Sequence, residues 1–145
     1  MFKHILIPTD GSELSEIAIQ KSISLAKTLG AQVTGLYVIP EFHAIAWQAE
    51  MLADTDEEFT KFGLANAAKY LAVIGTQANE AGVISTLLHV TSDHPYEAII
   101  KVATDKQCDL ITMASHGRKG IKGLLIGSET QKVLIHSSVP VLVYR

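Results

Sequence analysis

At 145 residues, 48% of them hydrophobic and 19% charged, the chain has the make-up of one globular domain, expected over residues 1–145, rather than of a disordered segment. A net charge of −3 without any basic stripe interleaved with aromatics argues against a nucleic-acid partner, because phosphate backbones select basic faces. The lone cysteine, Cys108, excludes an intramolecular disulfide, and the apolar run opening MFKHILIPTD is cut short by Pro8, too early for a secretory or membrane-spanning segment, which leaves a cytoplasmic, non-membrane location as the default expectation.

In chain order, Lys3 to Ile7 reads as a short apolar strand closed by Pro8-Thr9-Asp10-Gly11. Ser12 stands at a helix N-cap with Glu13 and Glu16 in the first turn, where carboxylates complement the helix dipole. Leu14, Ile17, Ala18, Leu25 and Leu29 supply an apolar face until Gly30 ends the helix. Ala31 to Ile39 is a second strand, stopped by Pro40. Glu41 to Thr55, holding His43, Trp47 and Met51, reads as either a loop or a short amphipathic helix. A long helix follows from Asp56 to about Ala81, with Gly82 as its stop, and Val83 to Val90 is a third strand. Asp93 is the expected cap of a helix that carries Pro95 in its first turn and runs through Ala103. Asp109 to Met113 is the fourth strand, Ser128 to His136 the last helix, and Val141 to Tyr144 the fifth strand. Apolar strands alternating with helices imply a mostly parallel sheet covered on both faces.

The stretch CDLITMASHGRKGIKGLLIGS, from Cys108 to Ser128, is the richest in chemistry. It combines a strand, a loop with four glycines and three cations, and a helix start. Such a loop lets backbone N–H groups and the positive helix end approach an anionic phosphate. Ligands of open α/β sheets bind outside the carboxyl ends of the strands, where strand order reverses. Pro8-Thr9-Asp10-Gly11, Val38-Ile39 and the glycine loop all lie at those ends and together form a candidate nucleotide crevice.

Each feature also has a plainer reading. Asp10 is either a turn carboxylate or a ribose or metal–water contact, and Arg118, Lys119 and Lys122 either face solvent or screen a polyphosphate. Ser128-Glu129-Thr130-Gln131 matches a capping box, so Ser128 alone marks only a helix start. No glycine-lysine-serine triplet is present, so this is not a Walker A loop. His116 reads as structural rather than catalytic. His89 and His94 lack the partners of a zinc site. Ser92-Asp93-His94 reads as a helix cap, since neighbours in sequence do not line up as a triad. Trp47 and Met51 are packing residues or a lid, and Cys108 reads as a small buried hydrophobe.

Taken together, these features resemble the universal stress protein family over essentially the whole chain. Pro8-Thr9-Asp10-Gly11-Ser12 after the first strand looks like its N-terminal signature. Met113-Ala114-Ser115-His116-Gly117, nine residues, then Gly127-Ser128 is similar to its nucleotide motif of glycine, two residues, glycine, nine residues, glycine, serine or threonine. Ser138-Val139-Pro140-Val141-Leu142-Val143 is similar to its terminal strand. The resemblance implies a single-domain, doubly wound, five-stranded parallel α/β sheet in the order 3-2-1-4-5, like that of the adenine nucleotide hydrolases. It further implies a homodimer paired through the last strand, here Pro140 to Tyr144.

Carried over position by position, the resemblance makes ATP or AMP the cofactor, accompanied by Mg²⁺ or Mn²⁺. Asp10 would contact the ribose or the metal and the backbone of Val38 the adenine edge. Gly117, Gly127 and Ser128 would hold phosphates with Thr130 as a helper, and Pro8, Thr9 and Met113 would complete the contacts. One position departs from the motif: its first glycine is Ala114. If that residue needs a positive φ, alanine costs about 1 kcal/mol; otherwise only a methyl group is added. The expected role is a nucleotide-dependent stress-response regulator with an unidentified protein partner and at most weak ATPase activity, since no water-positioning base stands beside a phosphate clamp. A dimeric interaction module with an empty crevice and a slow ATP hydrolase are the alternatives.

Overall fold

The computed structural model describes residues 1–42, 55–117 and 126–145. Strands β1 (His4–Thr9), β2 (Gln32–Ile39), β3 (Ser85–Thr91), β4 (Leu110–Ala114) and β5 (Val141–Tyr144) alternate with helices α1 (Glu13–Leu29), α2 (Thr55–Ala81), α3 (Pro95–Asp105) and α4 (Ser128–His136). All neighbouring strands are parallel, and they form one sheet in the order β3-β2-β1-β4-β5. The architecture is the doubly wound sheet expected.

Both faces of the sheet are buried along its central strands. Ile5, Ile7 and Val33 point to one face and pack with Ile19 and Ile23 of α1 and Leu71 and Ile74 of α2. Leu6, Leu36, Ile111 and Met113 point to the other and pack with Ile99 and Val102 of α3 and Val133 of α4. Consecutive Ile5, Leu6 and Ile7 are therefore all fully buried, which explains why β1 reads as a continuous apolar run. Each such side chain contributes about 1.5–3 kcal/mol of burial free energy.

Local caps hold the helix ends. Ser12 caps α1, its Oγ accepting the Ser15 N–H at 3.2 Å, and Gly30 closes it with φ of 64°. The start of α3 departs from expectation. Its N-cap is His94, with no side-chain cap bond, while the Asp93 carboxylate accepts the Glu41 N–H at 3.0 Å instead. The α3 N–H of Tyr96 is satisfied from another helix, by Glu129 Oε2 at 3.0 Å. Ser92 Oγ accepts the His94 N–H at 3.0 Å, so the Ser92–His94 segment forms a local turn.

The ladders of β1 end at different heights. Pairing with β2 runs to Thr9 opposite Tyr37, whereas pairing with β4 stops at Leu6 opposite Ile111. The His4 carbonyl accepts the Asp109 N–H, so alternation turns residues 4, 6 and 8 toward β4. Pro8 therefore lacks its N–H on the β4 side, above the last registered pair. β1 continues through Pro8 and Thr9 because β2 still pairs with it, past the Ile7 end expected. Above Leu6 and Ile111 the sheet parts between β1 and β4, at the point where strand order reverses. That split lies where the crevice is expected.

Candidate functional site

The β1–α1 turn forms one wall. Thr9 Oγ1 is buried and accepts both the Gly11 N–H at 3.2 Å and the Ser15 hydroxyl at 2.8 Å. Asp10 Oδ1 accepts the Ser12 N–H at 2.9 Å. Gly11 has φ of 78°, a conformation that side chains disfavour. The turn is thus fixed by side chains drawn from the turn itself and from the first turn of α1.

The end of β4 and the start of α4 form the opposite wall. Ser115 donates its N–H to the Tyr144 carbonyl at 2.7 Å, and its hydroxyl lies 3.1 Å from His116 Nδ1. A β-carbon on Gly117 would overlap Asp10 Oδ2 and lie 3.1 Å from Asp10 Cγ. The two sequence signatures therefore meet across the split. Ala114 is a strand residue paired with Tyr144, and among the described residues only Gln107 is a non-glycine with positive φ. Alanine at the first motif position carries no backbone strain.

Gly127 is held differently. Its N–H donates to the Ser115 carbonyl at 2.7 Å, and a β-carbon there would stand 3.0 Å from His116 Cβ and 3.1 Å from His116 Cα. Close approach to β4 accounts for the glycine. Its extended backbone, φ −71° and ψ 160°, makes Gly127 the N-cap of α4, with its carbonyl accepting the Gln131 N–H at 3.0 Å. Ser128 is thus the first helical residue and not the cap, which corrects the capping-box reading. Thr130 is 3% exposed and donates its hydroxyl to the Ala114 carbonyl at 3.0 Å, fastening α4 to the end of β4.

The N-cap residue of α4, Gly127, has no side chain to cap it, and among the described residues no other side chain is seen in that role. The N–H groups of Ser128, Glu129 and Thr130 precede the first intrahelical bond and carry the positive end of the helix dipole. The contrast with the other described helix starts is chemical. α1 is capped by Ser12, and the first turn of α3 is served by Glu129. Glu129 also lies 3.3 Å from Lys132 Nζ through Oε1, so its carboxylate is engaged along the α3 side.

The structure brings Pro8, Thr9 and Asp10 at the end of β1, Met113 and Gly117 at and beyond the end of β4, and Gly127, Ser128 and Thr130 at the start of α4 to one edge of the sheet. Met113 packs into the core on the α3–α4 face. Val38 lies one residue beyond the last β1–β2 pair. Since the Ile39 carbonyl accepts the Ser92 N–H on the β3 side, alternation turns the Val38 carbonyl toward β1, above the Thr9–Tyr37 pair. Arg118, Lys119, Lys122, His43, Trp47 and Met51 lie outside the described residues. Three contacts escaped sequence reading: Gly127 to Ser115, Glu129 to Tyr96, and the ring of Tyr70 against Gly11. All three join residues far apart in the chain, and only the capping chemistry of Glu129 left a trace in the sequence.

A family model described as the universal stress protein family matches residues 1–145. Universal stress protein MJ0577 of Methanocaldococcus jannaschii is 34% identical over 164 residues, which span 100% of this chain and 96% of that protein. The solved structure of the hypothetical protein MJ0577 matches with a TM-score of 0.82 at 31% identity, covering 99% of this chain and 95% of that one. A universal stress protein in complex with cAMP shares the fold with a TM-score of 0.73 at 24% identity, covering 99% and 97%.

Proposed function

Because the chain belongs to the universal stress protein family, we propose that it binds an adenine nucleotide, ATP or AMP, in the split between β1 and β4 and acts as a nucleotide-dependent regulator of a stress response. The observation that carries this reading is the glycine-capped start of α4, packed on His116 beside the contact of Gly117 with Asp10. Three N–H groups and the Ser128 hydroxyl would receive phosphate oxygens there. The Val38 carbonyl accepts hydrogen bonds and would take the exocyclic amino group of adenine. Thr130, its hydroxyl already bonded to Ala114, would position the cradle rather than touch the ligand. The fold shared with a cAMP-bound protein supports an adenylate in this architecture.

A divalent ion, Mg²⁺ or Mn²⁺, would neutralise phosphate charge in this reading. Among the described residues no group of three metal-ligating side chains occurs. Among the described carboxylates Asp10 stands at the crevice, which suits an ion held mainly by phosphates and water. Of the side chains able to handle a proton near the gap, Asp10 bonds Ser12 N–H and His116 Nδ1 lies against Ser115 Oγ. We therefore assign binding with at most slow hydrolysis, in a cytoplasmic setting where adenylates abound.

The same reading includes a homodimer. The carbonyls of Pro140 and Tyr144 face β4, so alternation turns the N–H and C=O groups of Val141 and Val143 outward. Leu142 is 37% exposed, and Leu134 and Ile135 of α4 are 41% and 73% exposed. Pairing β5 with a second copy would cover that open edge. Val143→Pro, which removes an outward donor, should yield monomers in analytical ultracentrifugation.

The deciding test of binding is to denature purified protein, identify released nucleotide by mass, and titrate the protein with ATP, ADP and AMP in Mg²⁺ by calorimetry. A dissociation constant in the micromolar range, a binding free energy of about −8 kcal/mol, supports the reading. Absence of both released nucleotide and heat at millimolar ATP overturns it.

A further inference from the structure

Gly11 is kept free of a side chain for two independent reasons. Its φ is positive, and a β-carbon there would overlap Cε1, Cζ and Cδ1 of Tyr70. The half-buried ring of Tyr70, from the middle of α2, therefore lies on the backbone of the β1–α1 turn. Behind it stands Tyr37 of β2, with ring centroids 5.6 Å apart and planes inclined by 41°. Tyr37 is also the residue registered with Thr9, the last residue of β1. Two aromatic rings thus tie the turn to β2 and α2 at once.

Glycine at a turn has access to more backbone conformations than any other residue, so a contact from a separate element adds to the selection of one. The bonds of Gly11 to Thr9 and of Ser12 to Asp10 lie within the turn, and the bond of Ser15 to Thr9 ties it only to the adjoining helix α1. The ring of Tyr70 comes from a different helix and gives the turn an external reference. We propose that Tyr70 is a positioning residue of the nucleotide site: its ring pins Gly11 so that the Asp10 carboxylate is held at Gly117 and presented to the ligand. This rests on the nucleotide reading above. Tyr70 acts through Asp10 and is assigned no contact with the nucleotide.

The test has a ligand-free arm and a binding arm. In the first, amide hydrogen exchange of the free protein is followed by NMR. Tyr70→Ala should speed exchange at Gly11 and Ser12 by about tenfold beyond any change at core amides such as Ile5 and Ile111, whereas Tyr70→Phe, which keeps the ring, should match wild type. In the second, Tyr70→Ala should weaken MgATP binding about tenfold and Tyr70→Phe by less than about twofold, and in an Asp10→Ala background Tyr70→Ala should cost nothing more. Should Tyr70→Ala fail to fold, Tyr70→Leu, apolar but without a flat face, is read in the same way. Unchanged exchange at Gly11 and Ser12, undiminished MgATP affinity, or losses that add with Asp10→Ala would each overturn the proposal. If wild-type protein binds no ATP, the nucleotide reading falls and with it the role of Tyr70 in binding, while the exchange arm still decides whether the ring pins the turn.

Discussion

Gly117 lies against the carboxylate of Asp10, so the loop after β4 touches the turn after β1 across the gap where the sheet parts. No hydrogen bond of the sheet joins the two strands at that height. The contact is one of backbone with a movable side chain.

That distinction separates two glycine substitutions. Gly117→Ala meets the far end of a side chain, so Asp10 can rotate away with little loss of stability. MgATP affinity should nevertheless fall by about tenfold or more, because a displaced carboxylate no longer presents its oxygens. Gly127→Ala instead meets Cα and Cβ of His116 at 3.1 and 3.0 Å, where only a shift of α4 gives relief. It should cost both affinity and about 1 kcal/mol of stability. Calorimetric titration and urea unfolding of the two variants side by side check the contrast; equal behaviour would refute it.

Thr130→Val removes the hydroxyl that α4 gives to the Ala114 carbonyl, in a site that is 3% exposed. A buried acceptor left without that partner should destabilise the fold by about 1–2 kcal/mol. Thr130→Ser keeps the bond and should recover most of that loss in the same urea titration.

Much of this was legible along the chain. Ser12 and Gly30 announced both ends of α1, and the bounds of β5 and α4 matched their apolar runs and flanking residues. The errors sit where a tertiary partner chose among local options. Asp93 had the chemistry of a cap, but its carboxylate is drawn to the Glu41 N–H and His94 takes the cap position. Ser128 had the right hydroxyl, yet the bond from Gly127 to Ser115 sets the backbone so that Gly127 is the cap. β1 outlasted its predicted end because β2 continued to pair with it. At the candidate site the motif residues were readable, but the contact of Gly11 with Tyr70 was not, since ring packing between distant residues leaves no spacing signal.

At the opposite end of the sheet, Asp109 supplies a pH-dependent term. Burial raises the pKa of its carboxyl, but the N–H groups of His4 and Lys3 outweigh this and hold it below the usual value, with bonds of 3.0 and 2.8 Å. A depressed folded pKa contributes stability above the unfolded value, about 4, which is lost as pH falls through the folded one. Asp109→Asn should therefore be less stable than wild type at pH 7, and the gap should narrow below about pH 4. Urea midpoints at pH 7 and pH 3 test this; a gap that widened in acid would contradict it.

Cys108 should be chemically quiet. Burial pushes its thiol up to about 11, with the charge of Asp109 adding to the effect. At pH 8 only about one thiol in a thousand is then ionised, and it is the thiolate that reacts. Native protein should resist a thiol-specific reagent at pH 8 and become labelled on unfolding in urea. Fast labelling of the native state would show that the residue is open to solvent.

Glu129 occupies a position that should be hostile to an anionic guest, being an acid in the opening turn of the helix proposed to receive one. Its side chain turns away to meet the Tyr96 N–H of α3 and Lys132 of its own helix, so the repulsive charge is shared between a neighbouring helix and a cation of α4. One carboxylate thereby completes the beginning of α3 while sparing the mouth of α4. The electrostatic character of this edge is accordingly a joint property of two helices, and neither can be redesigned alone without altering it.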